Sequence, residues 1–379
     1  MSTLRAPRVV VPGAVLEDAV VELDGGRVVD VRRGGPADVD LGHGVLAPGL
    51  VDLQVNGCYG VDFAAASPQE WDVLTTRLLE TGVTSLLPTF ITAPVAELAA
   101  VLRRTAQVLP ELPPRPRARV LGVHLEGPFL AESRRGAHDA AWLRDPAPAD
   151  VQELLDAGTG LLRLLTLAPE RDGALDAVRA LVAAGVLVSV GHSDATAAQV
   201  EAAADAGARM VTHLFNAQRP LLHREPGVVG QALADDRLTS GLILDLHHVS
   251  AQAARIAFAA APGRVALVTD AAAPAGMPPG RYALGGQPVV LEQGAPPLRE
   301  DGTIAGSALR LDDAVANAVR LGIDLATAVA AASTVPADLL GRGDLGRIAP
   351  GATADLVWLD DDLRARATWV GGVRVGEAA

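Results

Sequence analysis

Short apolar runs alternate with amphipathic stretches through the middle of this chain. Runs at 49–56, 84–91, 119–126, 161–168, 186–192, 209–213, 241–245 and 265–270 are five to eight residues long and rich in Val and Leu, as buried strands are. Helical spacing fills the gaps at 68–81, 94–109, 149–157, 172–184, 196–206, 227–234 and 251–261, with two further helices predicted at 311–321 and 324–332. In VRALVAAG, for example, Val178, Leu181 and Val182 share one face, and Gly185 supplies the stop. Repeated strand–helix alternation predicts a parallel sheet covered by helices. Eight strands favour a closed (β/α)8 TIM-like barrel over an open doubly wound sheet.

The two ends follow a different pattern. Residues 1–48 alternate apolar and polar positions, with Gly25-Gly26 placed as a hairpin turn. Residues 345–379 read as short strands with Gly turns, such as ATWVGGVRVG. The expected organisation is α/β: a barrel over 49–344 and a small β-sandwich domain built from 1–48 and 345–379. Two segments interrupt the barrel rhythm, 127–148 and 271–306, the second with a hairpin at 281–292. Long loops at the carboxyl ends of barrel strands shape substrate sites, so both are expected to cover one.

Four of the runs end in a residue able to bind a metal or move a proton. They are Glu126 in VHLEGPF, His192 in VGHSD, His213 in VTHLF and Asp270 in LVTDA. A lone His at a strand end is more often a satisfied polar residue than a ligand. Three such positions plus a fourth acid, all brought to one axis by a barrel, point to a metal site. Glu plus two His is a three-ligand set that leaves a position open for water. Asp270 is then the candidate general base and acid.

Composition narrows the chemistry. The net charge of −13 argues against nucleic acid and anionic membranes as partners. No apolar run reaches membrane-spanning length, and the start MSTLRAPRVV lacks a signal-peptide pattern. The single cysteine, Cys58, excludes an internal disulfide and fits a cytoplasmic protein. All 32 basic residues are Arg; without lysine there is no Schiff base and no carbamylated lysine to bridge two metals. No GxGxxG opens a helix and no Walker loop is present. On the first strand, PGLVDLQVNG carries Gln54 and Asn56 where hydrolases with this barrel often place a His-x-His pair for a second metal. Neutral amides are poor zinc ligands, so Gln54 and Asn56 read as vestigial second-metal positions and one catalytic metal is favoured.

The segments PGLVDLQVNG, LPTFIT, LGVHLEGPF, GAHD, TLAPE, GHSDAT, THLFNA, HREPG, LVTDA and GSAL, in this order, resemble the N-acetylglucosamine-6-phosphate deacetylases of the amidohydrolase superfamily from about residue 45 to 360. The resemblance implies hydrolysis of the acetamide of N-acetyl-D-glucosamine 6-phosphate to D-glucosamine 6-phosphate and acetate. It assigns Glu126, His192 and His213 to one divalent metal, zinc first, with iron, cobalt and manganese as alternatives. Asp270 becomes the acid/base and His138, in GAHD, the contact to the substrate carbonyl. Asn216, Ala217, Arg224 and His248 become phosphate contacts, and Ser307, in GSAL, a further substrate contact. It also implies a homodimer in which Arg224 completes the neighbouring site. The chain departs from the family where Asp-Gly-x-His is replaced by Asp245-Leu246-His247-His248, so His247 competes with His248, and where Gln218 stands for a usual Met. Two alternatives remain at this point. One is deacetylation of N-acetylgalactosamine 6-phosphate or another N-acyl amide; the other is a non-catalytic sugar-phosphate sensor.

Overall fold

The computed structural model describes residues 1–375; the last four residues of the predicted C-terminal segment, 376–379, lie outside the described residues. Eight parallel strands form the barrel: β1 (Leu50–Val55), β2 (Val83–Ile91), β3 (Val123–Glu126), β4 (Leu162–Leu167), β5 (Leu187–Val190), β6 (Met210–Val211), β7 (Thr239–Leu242) and β8 (Val265–Leu267). Each pairs with its sequence neighbour. The ring closes just beyond β8, where the Asp270 N–H donates to the Gln54 carbonyl and the Asn56 N–H to the Ala271 carbonyl, both at 2.8 Å. The strands are buried nearly throughout, as expected of a sheet covered on its outer face and filled on its inner one.

The predicted helices stand close to their expected bounds, from Pro68–Arg77 to Leu325–Ala331. Local chemistry explains their starts. Ser67 with Glu70, and Thr196 with Gln199, make capping boxes that satisfy the first amides of their helices. Two differences stand out. The third run is broken: Arg119–Val120 and Val123–Glu126 are separate strands, split at Gly122, whose φ of 149° leaves no room for a Cβ beside Arg163. A short helix at Thr334–Leu339 has too little periodicity to be legible in advance.

The chain ends share one eight-stranded sheet. Its order runs Val373–Val375, Ala365–Val370, Leu356–Leu359, Val45–Pro48, Ser2–Val11, Ala14–Asp24, Arg27–Arg33, with Val39–Asp40 beside Ser2–Val11. The sheet curls so far that its end hairpins meet: a Cβ on Gly26 would stand 3.1 Å from the Gly371 carbonyl oxygen. Between its layers lie Leu4, Val21, Leu46, Leu356, Trp358 and Trp369. The buried Asp355 fastens this sheet to the barrel, accepting two bonds from Arg119 at 3.0 and 3.1 Å while its carbonyl holds the Gly49 N–H.

Candidate active site

The carboxyl ends of the strands open into a cavity of about 370 Å³. Among its lining residues are Asn56, Glu126, His138, His192, His213, Asn216, Ala217, His248 and Asp270, so the barrel brings together residues up to 214 positions apart. Glu126 closes β3. His192 and His213 stand just past β5 and β6, and Asp270 stands past β8. His192, His213 and Asp270 all have positive φ, 47°, 31° and 49°. Each costs on the order of 1 kcal/mol for a residue with a Cβ, and such strain collects at functional sites. Small neighbours make room: a Cβ on Gly191 would lie 2.6 Å from the Thr166 methyl.

Glu126, His192 and His213 form a group able to hold a metal ion. Glu126 Oε1 lies 3.2 Å from His192 Nε2 and 3.0 Å from His213 Nε2, and the two nitrogens are 3.0 Å apart. A tetrahedral ion with bonds of ~2.0–2.1 Å needs ligand atoms ~3.3 Å apart, close to this triangle. His192 Nδ1 donates to the Arg134 carbonyl at 2.9 Å, which leaves the Nε2 lone pair turned inward. Three buried donor atoms facing each other, with one carboxylate among them, suit a divalent cation. Burial pushes the Glu126 carboxyl up, but the bonds and charges of the two histidines outweigh it and hold the group well below its usual range. For His213, burial acts downward and the bond and charge of Glu126 outweigh it, so its pKa is raised.

Asp270 is buried beside this group. Burial first, then the charge of Glu126, push its carboxyl up to about 7. Its Oδ1 accepts from Asn56 Nδ2 at 2.6 Å and from Gln54 Nε2 at 3.2 Å. On the opposite side, His138 Nδ1 sits 2.8 Å from the Thr92 hydroxyl, and its Nε2 is 3.8 Å from Glu126 Oε2. Burial, then His192, push the His138 imidazole down to about 3, so it is neutral.

The sequence profile of the Amidohydrolase family matches residues 45–375. This chain belongs to the amidohydrolase family. Curated relatives include the N-acetylglucosamine-6-phosphate deacetylase of Bos taurus, 40% identical with 96% of this chain and 93% of the relative covered. The N-acetylgalactosamine-6-phosphate deacetylase of Escherichia coli O157:H7 is 38% identical, with 97% and 98% covered. Among solved structures, a variant of the N-acetyl-D-glucosamine-6-phosphate deacetylase of Mycobacterium smegmatis in complex with N-acetyl-D-glucosamine-6-phosphate superposes with a TM-score of 0.93. It is 38% identical, and 99% of each chain is covered.

In this amidohydrolase the remaining predicted residues divide. His248 lines the cavity; its Nδ1 donates to Asp245 Oδ2 at 2.7 Å, while Asp245 Oδ1 takes the His247 and His248 amides at 2.8 Å each. His247 lines a separate cavity. The loop survives the missing glycine because Leu246 itself takes φ 65°. Asn216 and Ala217 line the cavity, but Asn216 spends its main-chain N–H on the His213 carbonyl and its amino group on the His213 and Leu214 carbonyls. Ser307 does not line the cavity; its hydroxyl donates to the Thr269 carbonyl at 2.5 Å, behind Asp270. Arg224 is exposed at the tip of a turn closed by Leu222 and Glu225, away from its own cavity.

Several contributors lie outside the predicted site residues. The 127–148 loop supplies Arg134, whose guanidinium pairs with Asp194, and the 271–306 segment supplies an apolar wall of Leu284 and Ile304. Gln218, in place of Met, is buried; it donates to the Thr212 carbonyl at 2.6 Å and accepts the Phe215 N–H at 3.1 Å, clasping a loop with positive φ at His213, Phe215 and Ala217. Beneath the ligands runs a belt of His124, Thr166, Thr212 and Ser189, linked at 2.8, 2.7 and 2.6 Å. The polar residue two before Glu126 was a visible cue for that layer, because alternate residues of a strand share a face.

Proposed function

We propose that this amidohydrolase hydrolyses the acetamide of N-acetyl-D-glucosamine 6-phosphate to D-glucosamine 6-phosphate and acetate. The observation that carries the reading is the meeting of Glu126, His192, His213 and Asp270 in one cavity, in a chain whose near-full-length relatives carry this activity in their names. Glu126, His192 and His213 would hold one divalent ion, which when bound supplies a Lewis acid and an acidified water. Zinc is the first candidate, with iron, cobalt and manganese behind it.

The chain's own groups divide the remaining work. Asp270 takes a proton from the attacking water and returns it to the departing nitrogen. With the Thr92 main-chain N–H donating to His138 Nδ1 at 3.4 Å, the proton of the neutral imidazole sits on Nε2 and is available to the developing oxyanion. His248, fixed by Asp245, with the Ala217 backbone would receive the phosphate, and Asn216 would join by exchanging one of its 3.3 Å bonds to the His213 and Leu214 carbonyls. Arg224 would reach it from the second subunit of a homodimer, where a guanidinium can bind phosphate in bidentate fashion. Ser307 acts from behind, holding the turn that carries Asp270. The working compartment is the cytoplasm; no helix among the described residues is long and apolar enough to cross a membrane.

The Escherichia coli relative supports a second reading, with the galactose epimer as substrate. Acetate release from both N-acetylated hexosamine 6-phosphates, after chelation and refilling with one metal at a time, tests the two together. The glucose epimer should turn over faster, and chelation should abolish activity until metal is restored. Faster turnover of the galactose epimer would transfer the assignment. Binding of either sugar phosphate without acetate release at any metal loading would leave a sensor.

A further inference from the structure

We infer that Gln54 and Asn56 form a two-amide clamp that fixes Oδ1 of Asp270 and leaves Oδ2 as its proton-carrying oxygen. The inference rests on the deacetylase reading above, and it gives a working role to the two positions where a His-x-His pair would hold a second metal.

Three donor bonds define the clamp. Asn56 Nδ2 reaches Asp270 Oδ1 at 2.6 Å, and Gln54 Nε2 reaches the same oxygen at 3.2 Å. Gln54 Nε2 also reaches Glu126 Oε1 at 3.0 Å, the oxygen that faces both histidines. Every partner is a carboxylate oxygen, which when ionised only accepts. Turning either amide over would press its carbonyl against that carboxylate, so the acids dictate which end of each amide faces them.

The cost of this orientation is visible. Gln54 Oε1 and Asn56 Oδ1 are buried and have no hydrogen-bond partner among the described residues. A buried acceptor left without a partner is costly to the fold. The fold carries two within three residues of one strand, while both amino groups converge on one side chain. The same stretch binds the Asp270 region through its main chain, by the Asp270 N–H to the Gln54 carbonyl and the Asn56 N–H to the Ala271 carbonyl. Side chains and backbone of β1 therefore hold the acid together.

The chemical consequence concerns which oxygen works. An oxygen already accepting two N–H bonds is the poorer place for a proton, so transfer runs through Oδ2. With Oδ1 pinned, the carboxyl cannot rotate and exchange its two oxygens during the cycle. Gln54 does not line the cavity, and Asn56 lines it beside Asp270 with its free amide oxygen buried; both act through Asp270 as positioning residues.

Asn56→Leu and Gln54→Met remove the donors at similar volume. On N-acetyl-D-glucosamine 6-phosphate, Asn56→Leu should lower kcat about 10- to 100-fold and Gln54→Met less, with KM within about 3-fold. For Asn56→Leu, metal content and affinity, read by titration with cobalt(II), should stay at the wild-type value, because Asn56 bonds Asp270 and not a ligand. In an Asp270→Asn background, Asn56→Leu should cost little more, because its effect passes through the carboxylate. If Asn56→Leu does not fold, Asn56→Ser and Gln54→Met carry the same test. An unchanged kcat in the folded variants, a full additional loss in the Asp270→Asn background, or a tenfold loss of cobalt affinity in the Asn56 variant would each overturn the clamp. Failure of the wild-type protein to release acetate would instead remove the deacetylase reading beneath it.

Discussion

Asp270 sits where burial and proton transfer meet. Burial and Glu126 raise its carboxyl to about 7, so the base form gathers above that pH and is lost below it. A bound cation favours the ionised form and moves this limb lower. The expected profile of kcat/KM therefore rises with pH and levels off at or below about 7. Asp270→Asn should lower kcat at least about 100-fold and erase the limb, as measured by acetate release across pH 5–9. Leu246 offers a second check at this scale. It is exposed and holds φ 65°, a conformation that costs a leucine on the order of 1–2 kcal/mol and a glycine nothing. Even after the extra entropy of glycine in the unfolded chain, Leu246→Gly should raise the unfolding midpoint slightly; a fall would contradict the strain argument. The four strand-end residues were legible as a set because their type and position recur. Thr92 and Arg134 were not, since a residue that orients another carries no pattern of its own, and Gln218 was visible only as a departure from a usual Met.

At the scale of elements, β1 and the turn after β8 are joined by a buried acid. Asp52 accepts from the Thr269 hydroxyl at 2.7 Å and from the Thr269 and Gln54 amides at 3.2 Å each. Burial nonetheless pushes its carboxyl up to about 7. The folded state thus binds this proton more tightly than the unfolded chain does. Its contribution is fully favourable below the unfolded pKa of about 4 and is lost as pH rises toward about 7, worth at most about 4 kcal/mol. Urea midpoints measured from pH 4 to 8 should fall less steeply for Asp52→Asn than for the wild type; parallel curves would show that Asp52 does not titrate in this range. Strand and helix bounds were readable to within a few residues because burial period and caps are local properties. The break at Gly122 was not, because it depends on Arg163 of the next strand.

At the scale of the whole molecule, the position of Arg224 is informative. It lies on an exposed turn next to Leu221 and Leu222, which are 50% and 54% exposed, and it does not reach its own cavity. If it completes the neighbouring site, Arg224→Ala and Asp270→Asn dimers should each be poorly active. Mixed and allowed to exchange subunits, they should regain activity, because one site of each mixed dimer combines an intact Asp270 with an intact Arg224. No recovery, with exchange verified by mass, would place Arg224 outside the catalytic site. The chain-end sheet has a comparable long-range role. It is anchored through Asp355 to Arg119 and to Gly49, which immediately precedes β1, the strand that carries Gln54 and leads directly into Asn56.

The sequence by itself determined the alternation of strands and helices, the β-rich character of the two ends, and the candidate metal ligands and base. Each depends on residue type and spacing along one segment. Only the tertiary structure decided that Ser307 lies behind Asp270, that His248 rather than His247 faces the cavity, and that Gln54 and Asn56 turn their amino groups onto the acids. Those outcomes depend on which side chains meet across the barrel, at separations of up to 216 residues, where the charge of one group orients another.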